Sequence, residues 1–289
     1  LSPTCNHHNF PVMKNLIVRS LSGAVYVALI VCSILFGSGW AFPALCCVFA
    51  FIGIMEFQKM TQDDFYASPL TLFIDLLIGI FLPVLAALSF SYSQYSFFAL
   101  PVAAVSFQIV ITRFVMQLYL HRENPVRHIA CSVLSVVYVA VPLSFAAAML
   151  MFSPALLLLM FVMIWLNDTG AFLVGSAIGS HHLFKRLSPK KSWEGFFGGL
   201  VFCVAAGVLA KVFFPGTFGV FSTKTLIVFG IIVCVMSTWG DLFESMIKRT
   251  VGVKDSGTLI PGHGGVLDRI DSLLFVAPCT LFYFICWTF

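Results

Sequence analysis

Residues 226–249 read LIVFGIIVCVMSTWGDLFESMIKR, an apolar run that ends in a charged segment. A membrane-spanning helix needs about 20 predominantly apolar residues, and this run meets that length. Four polar residues follow one another at i, i+3, i+4 and i+7, so they share one face of the helix. They are Asp241, Glu244, Ser245 and Lys248. Lipid does not solvate such a stripe, so the run predicts a membrane helix whose inner end faces a wet cavity or a second polar stripe.

Charge is concentrated directly downstream, in the segment ESMIKRTVGVKDSGTLIPGHGGVLDRID from Glu244 to Asp271. This segment contains nine ionisable residues, although only 10% of the chain is charged and 60% is hydrophobic. They are Glu244, Lys248, Arg249, Lys254, Asp255, His263, Asp268, Arg269 and Asp271. Carboxylates hold hard divalent cations and basic groups hold phosphate oxygens, so the segment indicates phosphoryl or nucleotidyl chemistry at a membrane.

The rest of the composition also indicates a membrane protein. A mean hydropathy of +1.01 over 289 residues excludes an ordinary soluble domain. We predict an all-α, polytopic integral membrane bundle of about nine transmembrane helices. The predicted spans are residues 20–37, 40–57, 69–90, 96–120, 128–151, 154–179, 193–214, 226–249 and 266–287. Residues 1–12 are predicted to be a disordered extension, and residues 13–289 a single membrane domain with scaffold helices in 13–151 and catalytic helices and loops in 152–289.

The basic residues predict the orientation of these spans. With nine spans, thirteen Lys and Arg residues fall on the side of the N-terminus and only Lys211 and Lys224 on the other. Cytoplasmic loops carry the excess of Lys and Arg, so the N-terminus is predicted to be cytoplasmic. The net charge of +4 sits in short loops beside the membrane, which argues against nucleic acid as a partner.

Four aspartates are predicted to meet at the cytoplasmic ends of the sixth, eighth and ninth spans. They are Asp168, Asp241, Asp268 and Asp271. Protonation of these groups would suit an ion-coupled transporter, whereas the many nearby bases favour Mg²⁺ with substrate phosphates. The glycine turn PGHGG at 261–265 would let backbone N–H groups approach an anion closely.

Other polar and small residues receive structural interpretations. Asp75 and Arg113 are each interpreted as a snorkelling or paired charge that holds the bundle together, and Glu56 at a span end is given no special role. Ala171, Gly175 and Gly179 form a small-residue face that Gly195 and Gly199 continue in the next span, which predicts close helix packing. Ser192 is predicted to cap the seventh helix, with Glu194 near its positive end.

The polar skeleton of 245–271, together with NDTGAF at 167–172 and SPKKSWEG at 188–195, resembles the phosphatidate cytidylyltransferase (CDP-diacylglycerol synthase) family. The resemblance covers about 120 C-terminal residues. It implies transfer of a cytidylyl group from CTP to phosphatidic acid, which gives CDP-diacylglycerol and pyrophosphate. The implied place is the cytoplasmic face of the inner or plasma membrane. The alternatives are a CTP-dependent polyprenol or lipid kinase and, with less support, the transporter.

The resemblance also implies site residues. Asp241 and Asp268 would be the metal ligands, with Asp168 and Asp271 as further catalytic carboxylates. The predicted substrate-binding residues are Lys190, Lys191, Lys248, Arg249, Lys254, His263 and Arg269. The expected cofactor is Mg²⁺, as two divalent ions or as one divalent and one monovalent ion. The expected partners are CTP, phosphatidic acid and membrane lipids, and a homodimer is left open.

Overall fold

The structure, a computed structural model, describes residues 9–36, 39–62, 69–91, 108, 110–120, 124–259 and 264–288. Its helices are α1 (Asn9–Phe36), α2 (Ala41–Thr61), α3 (Pro69–Ser91), α4 (110–119), α5 (Pro125–Phe152), α6 (Pro154–Ile178), α7 (Trp193–Phe213), α8 (Thr223–Thr250) and α9 (Leu267–Thr288). A hairpin of β1 (His182–Phe184) and β2 (Ser188–Ser192) separates α6 from α7, and a helical turn (Pro215–Phe218) follows α7. The predicted all-α class is confirmed, and the small hairpin is an addition to it.

Seven of the described helices are long and apolar enough to cross a membrane, so the chain is an integral membrane protein. They are α2, α3 and α5 to α9. Helix α1 contributes a shorter apolar stretch, Ser20–Phe36, and much of the predicted span 96–120 lies outside the described residues. The count of nine spans therefore stays a prediction. So does the domain division: residues 1–8 are outside the described part, and residues 9–12 begin α1.

The helices pack in a continuous series. Helix α6 packs against α7, α7 against α8, α8 against α9, α9 against α5, α5 against α3, and α3 against α2. Fully buried side chains such as Phe57, Met160, Phe229 and Phe284 fill the interior of this series. Because α6, α8 and α9 are brought together in it, the inner ends of the three predicted carboxylate-bearing helices become neighbours.

The predicted close packing of α6 on α7 is confirmed. A Cβ atom added at Gly195 would lie 2.8 Å from the carbonyl oxygen of Ala171 and 3.4 Å from Cα of Gly175. One added at Gly199 would overlap Oδ1 of Asn167. The two helices therefore approach with backbone against backbone, which small residues permit in a membrane bundle.

Of the two interpretations of Asp75 and Arg113, snorkelling or pairing, the structure shows pairing. Arg113 Nε lies 3.5 Å from Asp75 Oδ1, and both side chains are almost fully buried. Gln58 Nε2 and Ser132 Oγ donate hydrogen bonds of 2.8 and 2.5 Å to the other oxygen of Asp75. A buried carboxylate is tolerated when it is paired and hydrogen-bonded, and this one joins α2, α3, α4 and α5.

Candidate active site

The four predicted aspartates line one cavity of about 270 Å³ between α6, α8 and α9. Six carboxylates and two bases surround this cavity, which leaves a formal excess of four negative charges. The carboxylates are those of Asp168, Asp241, Glu244, Asp255, Asp268 and Asp271, and the bases are Lys248 and Arg269. Uncompensated charge is costly beside a membrane, and bound cations or protons would offset this excess.

Three of these carboxylates form a compact group. The ligand atoms of Asp241, Glu244 and Asp271 all lie within 4.8 Å of one another. Asp241 and Glu244 are one turn apart on α8, and Asp271 faces them from the first turns of α9. Glu244 is buried, and its Oε1 atom has no hydrogen-bond partner. A hard divalent cation would satisfy that oxygen, and an all-oxygen donor set suits Mg²⁺.

Asp268 has different partners from the other carboxylates. Its Oδ1 atom accepts a hydrogen bond of 2.7 Å from Lys248 Nζ, and its Oδ2 atom accepts bonds from the N–H groups of Ser256 and Gly265 at 3.0 and 2.8 Å. Lys248 Nζ also contacts Glu244 Oε2 at 2.6 Å. Asp268 therefore connects to the compact group through Lys248, and its assignment with Asp241 as a metal ligand stays a prediction.

The hairpin brings two predicted lysines to a second cavity of about 360 Å³, which shares Asp168 and Asp241 with the first. Lys191 Nζ forms an ion pair with Asp241 Oδ2, and Lys190 lies beside it on β2. The other lining residues include Phe172, Phe196, Ser188 and Thr238. The cavity thus offers basic, hydroxyl and aromatic groups next to the carboxylates.

Local capping fixes the hairpin to α7. Ser192 Oγ accepts a hydrogen bond of 3.1 Å from the N–H of Gly195, which confirms the predicted cap. Glu194 accepts bonds from the N–H groups of Ser180 and His181, both at 3.2 Å from Oε2, and contacts His181 Nδ1 at 2.6 Å. These contacts close the base of the hairpin and hold the lysine strand over the end of α8.

A third cavity, of about 260 Å³, extends from Asp168 and Asp271 toward α1. Tyr26 on α1 and Trp165 on α6 line it together with Arg269 on α9. The hydroxyl of Tyr26 donates a hydrogen bond of 3.0 Å to the carbonyl oxygen of Arg269. This cavity is more apolar than the first and is lined by residues of α1, α6 and α9.

From the described end of the glycine turn into the start of α9, residues 264–267, backbone N–H groups bind carboxylates of the protein itself. Gly265 donates to Asp268, and the N–H groups of Val266 and Leu267 donate to Oε1 and Oε2 of Glu56 at 3.1 and 2.9 Å. The interpretation of Glu56 as a span-end charge without a role is therefore wrong. Glu56 is 9% exposed and caps the N-terminus of α9 from α2, where the helix dipole favours a carboxylate.

Comparison with known proteins identifies the family of the chain. Residues 17–288 match the family described as the cytidylyltransferase family. The chain belongs to this family. It is 47% identical over 120 residues to the phosphatidate cytidylyltransferase of Staphylococcus aureus (strain COL), covering 41% of this chain and 44% of the relative. Over 139 residues it is 47% identical to the phosphatidate cytidylyltransferase of Haemophilus influenzae, covering 45% and 46%.

A third relative gives the same result. The phosphatidate cytidylyltransferase of Staphylococcus saprophyticus is 42% identical over 122 residues, which cover 42% of this chain and 46% of the relative. The chain thus spans less than half the length of each of these curated relatives. The resemblance that the sequence motifs indicated is confirmed at the level of the family.

Not every predicted substrate-binding residue of this family member reaches the cavities. Arg249 and Lys254 are exposed, and among the described residues they line none of the three cavities. His263 lies outside the described residues. Lys190, Lys191, Lys248 and Arg269 all line at least one cavity.

Two carboxylates that line the first cavity, Glu244 and Asp255, were not predicted as site residues, and neither was Glu56, which binds the start of α9. Glu244 stands on the polar stripe of α8, so the i+3 spacing from Asp241 was the signal that could have identified it. For Glu56 the only signal was a carboxylate at the end of an apolar run. Its partners lie 200 to 211 residues away along the chain, and spacing does not predict such contacts.

Proposed function

We propose that this chain transfers the cytidylyl group of CTP to phosphatidic acid, giving CDP-diacylglycerol and pyrophosphate. The observation that carries the proposal is the compact carboxylate group of Asp241, Glu244 and Asp271 beside Lys191 and Lys248 in a cytidylyltransferase-family chain. This group lies where a basic cavity and a more apolar cavity meet. The curated relatives named above carry the same activity in their names.

The carboxylates fit a divalent cation. Mg²⁺ would be held by Asp241, Glu244 and Asp271, whose oxygens are hard ligands and include one buried oxygen without a partner. The ion would supply electrostatic stabilisation of the negative charge that develops on the phosphate oxygens. A second divalent or a monovalent ion is proposed beside Asp168 or Asp268, because the cavity has more negative charge than one divalent ion neutralises.

The two flanking cavities suit the two substrates. We assign the triphosphate of CTP to the cavity of Lys190 and Lys191, since ammonium groups bind phosphate oxygens. Phosphatidic acid is assigned to the cavity of Tyr26, Trp165 and Arg269, because that cavity combines apolar surface with a guanidinium. Both cavities share Asp168, so the two phosphates would meet beside it.

The chemistry follows from this placement. A phosphate oxygen of phosphatidic acid attacks the α-phosphorus of CTP, a new P–O bond forms, and the bond to the bridging oxygen of the β-phosphate breaks as pyrophosphate leaves. No nucleophile of the protein is required. The residues therefore act by holding the two phosphates in line and by offsetting charge, with Lys191 and Lys248 as the nearest cations.

The proposed location is the cytoplasmic face of the membrane. The hairpin lysines and the α8 to α9 segment belong to the side that carries thirteen of the basic residues. CTP is a charged, water-soluble nucleotide, so the basic cavity has to open to the compartment that contains it. We also propose that the protein forms a homodimer. The mass of the purified protein in nanodiscs would test this.

The deciding experiment uses CTP labelled at the α-phosphate or at the γ-phosphate. Purified protein in vesicles that contain phosphatidic acid and Mg²⁺ should place the α-label in the lipid fraction and release the γ-label as pyrophosphate. Asp241→Asn, which removes one ligand charge, is the inactive control. Transfer of the γ-label to lipid would instead establish the CTP-dependent kinase, and no transfer of either label would refute both activities.

A further inference from the structure

Glu56 receives all of its described hydrogen bonds from the segment that precedes and begins α9. Its Oε1 atom accepts from the N–H of Val266 at 3.1 Å. Its Oε2 atom accepts from the N–H of Leu267 at 2.9 Å and from Ser256 Oγ at 3.2 Å. Glu56 belongs to α2, in the N-terminal half that the resemblance motifs do not cover, so this carboxylate is a direct link between the scaffold and the site segment.

The segment is shaped to enclose this carboxylate. A Cβ atom added at Gly257 would lie 2.5 Å from Glu56 Oε1, and one added at Gly265 would lie 2.5 Å from Oε2. At both positions a Cβ atom would push the Glu56 carboxylate out of its hydrogen-bonded place, so glycine lets the segment approach it this closely. The carboxylate is thus closely surrounded on two sides by backbone, in addition to its three hydrogen bonds.

The same backbone also holds Asp268. The hydroxyl of Ser256 donates a hydrogen bond of 3.2 Å to Glu56, and its backbone N–H donates one of 3.0 Å to Asp268. The N–H of Gly265 donates a hydrogen bond to Asp268, and the N–H of the next residue, Val266, donates one to Glu56. Asp268 in turn binds Lys248, which contacts Glu244 of the compact carboxylate group. A displacement of the segment would therefore move Asp268 and break its contact with Lys248, which stays on α8 and would then pair with Glu244 alone.

We propose that Glu56 is a positioning residue that fixes residues 256 and 264–267 in place and, through Asp268 and Lys248, sets the geometry of the carboxylate group that binds the cation. The effect on the cation rests on the proposed function, whereas the anchoring of the segment does not. Glu56 touches neither the cavities nor the assigned substrate positions.

The first test is limited trypsin digestion of the purified full chain at Lys254, which is exposed in the anchored segment. Glu56→Gln keeps the size of the side chain but turns one acceptor oxygen into an NH₂ group that faces a backbone donor. Hydrogen bonds to charged groups correspond to roughly 10- to 150-fold in an equilibrium constant. We expect cleavage at Lys254 to be at least tenfold faster than in the unaltered chain.

A matched control separates anchoring from general loss of stability. Gln58 is also buried on α2, but it donates to Asp75 and Ser135 and has no described contact with the segment. Gln58→Leu should lower the melting temperature without accelerating cleavage at Lys254. Ser256→Ala is the second variant, because it removes one hydrogen bond to Glu56 from the other side and should accelerate cleavage even if Glu56→Gln does not fold.

The second test measures binding of Mn²⁺ in the absence of substrate by electron paramagnetic resonance. Glu56→Gln should raise the half-saturating Mn²⁺ concentration about tenfold, while Gln58→Leu leaves it unchanged. Wild-type cleavage rates in both Glu56→Gln and Ser256→Ala would overturn the anchoring. Faster cleavage with unchanged Mn²⁺ binding would overturn the positioning role. Neither readout uses CTP or lipid, so both stand apart from a failure of the labelled-CTP assay.

Discussion

Lys191 on β2 forms an ion pair with Asp241 on α8, so a residue of the hairpin neutralises a carboxylate of a membrane helix. The side chains are 27% and 37% exposed, and Asp241 Oδ1 also accepts a hydrogen bond of 3.3 Å from Ser245. A partly exposed pair exchanges partners more easily than a buried one. A divalent cation would compete for Asp241 and a triphosphate for Lys191, so binding of both would replace this pair with two stronger contacts.

In the proposed function Lys191 binds the triphosphate of CTP, so it should contribute to the affinity for CTP. Lys191→Ala should raise the KM for CTP at least tenfold, since a contact with a charged group is worth about 1.5–3 kcal/mol. Lys185 in the same hairpin is exposed and lines none of the three cavities, so Lys185→Ala is the matched control and should change KM little. Steady-state kinetics in vesicles of fixed lipid composition would check this. Equal losses in both variants would mean that the lysines act only through surface charge.

The compact carboxylate group predicts a specific ranking of metal-site variants. Asp241→Asn, Glu244→Gln and Asp271→Asn should each weaken Mn²⁺ binding more than a hundredfold, because each removes a ligand. Asp268→Asn should weaken it roughly 10- to 100-fold, the range typical of outer-shell partners. Titration without substrate gives the four constants, and melting temperatures show that the variants are folded. If Asp268→Asn and Asp241→Asn weaken binding equally while Glu244→Gln does not, the ligands are the pair implied by the family resemblance.

Much of the site could be predicted from sequence because its helices are long and strongly periodic. The i, i+3, i+4, i+7 spacing placed Asp241, Glu244 and Lys248 on one face, and alternation of span direction placed Asp168 and Asp271 at the same depth. The structure brings these five side chains to one cavity. Charge and apolar length are local properties of a sequence, which is why they predicted the arrangement correctly.

The parts that were not predicted depend on contacts between distant residues. The hairpin has only three and five residues per strand, which is too short for a strand pattern to stand out, and its register places His182 opposite Ser192. The glycine turn was expected to approach an anion, but sequence could not show that the described N–H groups serve Glu56 and Asp268. Spacing predicts which residues share a helix face, not which helix supplies the partner.

Gly264, in the glycine turn, has a backbone conformation that predicts a measurable requirement for glycine. Gly264 has a φ of +84°, and a Cβ atom there would lie 2.5 Å from Asp268 Oδ2. Gly264→Ala should therefore lower the melting temperature and reduce the activity at least tenfold, because strain and overlap act together. Gly216→Ala is the control, since a Cβ atom there meets nothing within 4 Å. A Gly264→Ala variant with unchanged turnover would contradict the assigned geometry of Asp268.

The last prediction concerns the side of the membrane on which the site lies. Helix α7 separates the hairpin from the helical turn Pro215–Phe218 and is 21 residues long, about the thickness of the hydrocarbon core. The hairpin carries Lys185, Arg186, Lys190 and Lys191, whereas Lys211 and Lys224 flank the turn on the opposite side.

A reporter inserted after Arg186 should therefore be cytoplasmic, and one inserted after Gly216 should be extracytoplasmic. Paired alkaline phosphatase and green fluorescent protein fusions give opposite signals for the two locations and so control for expression. A third reporter after Lys254 should match the one after Arg186, because Lys191 and Asp241 bring the hairpin to the inner end of α8. Reporters after Arg186 and Lys254 on different sides would be incompatible with a single site formed by the hairpin, α8 and α9.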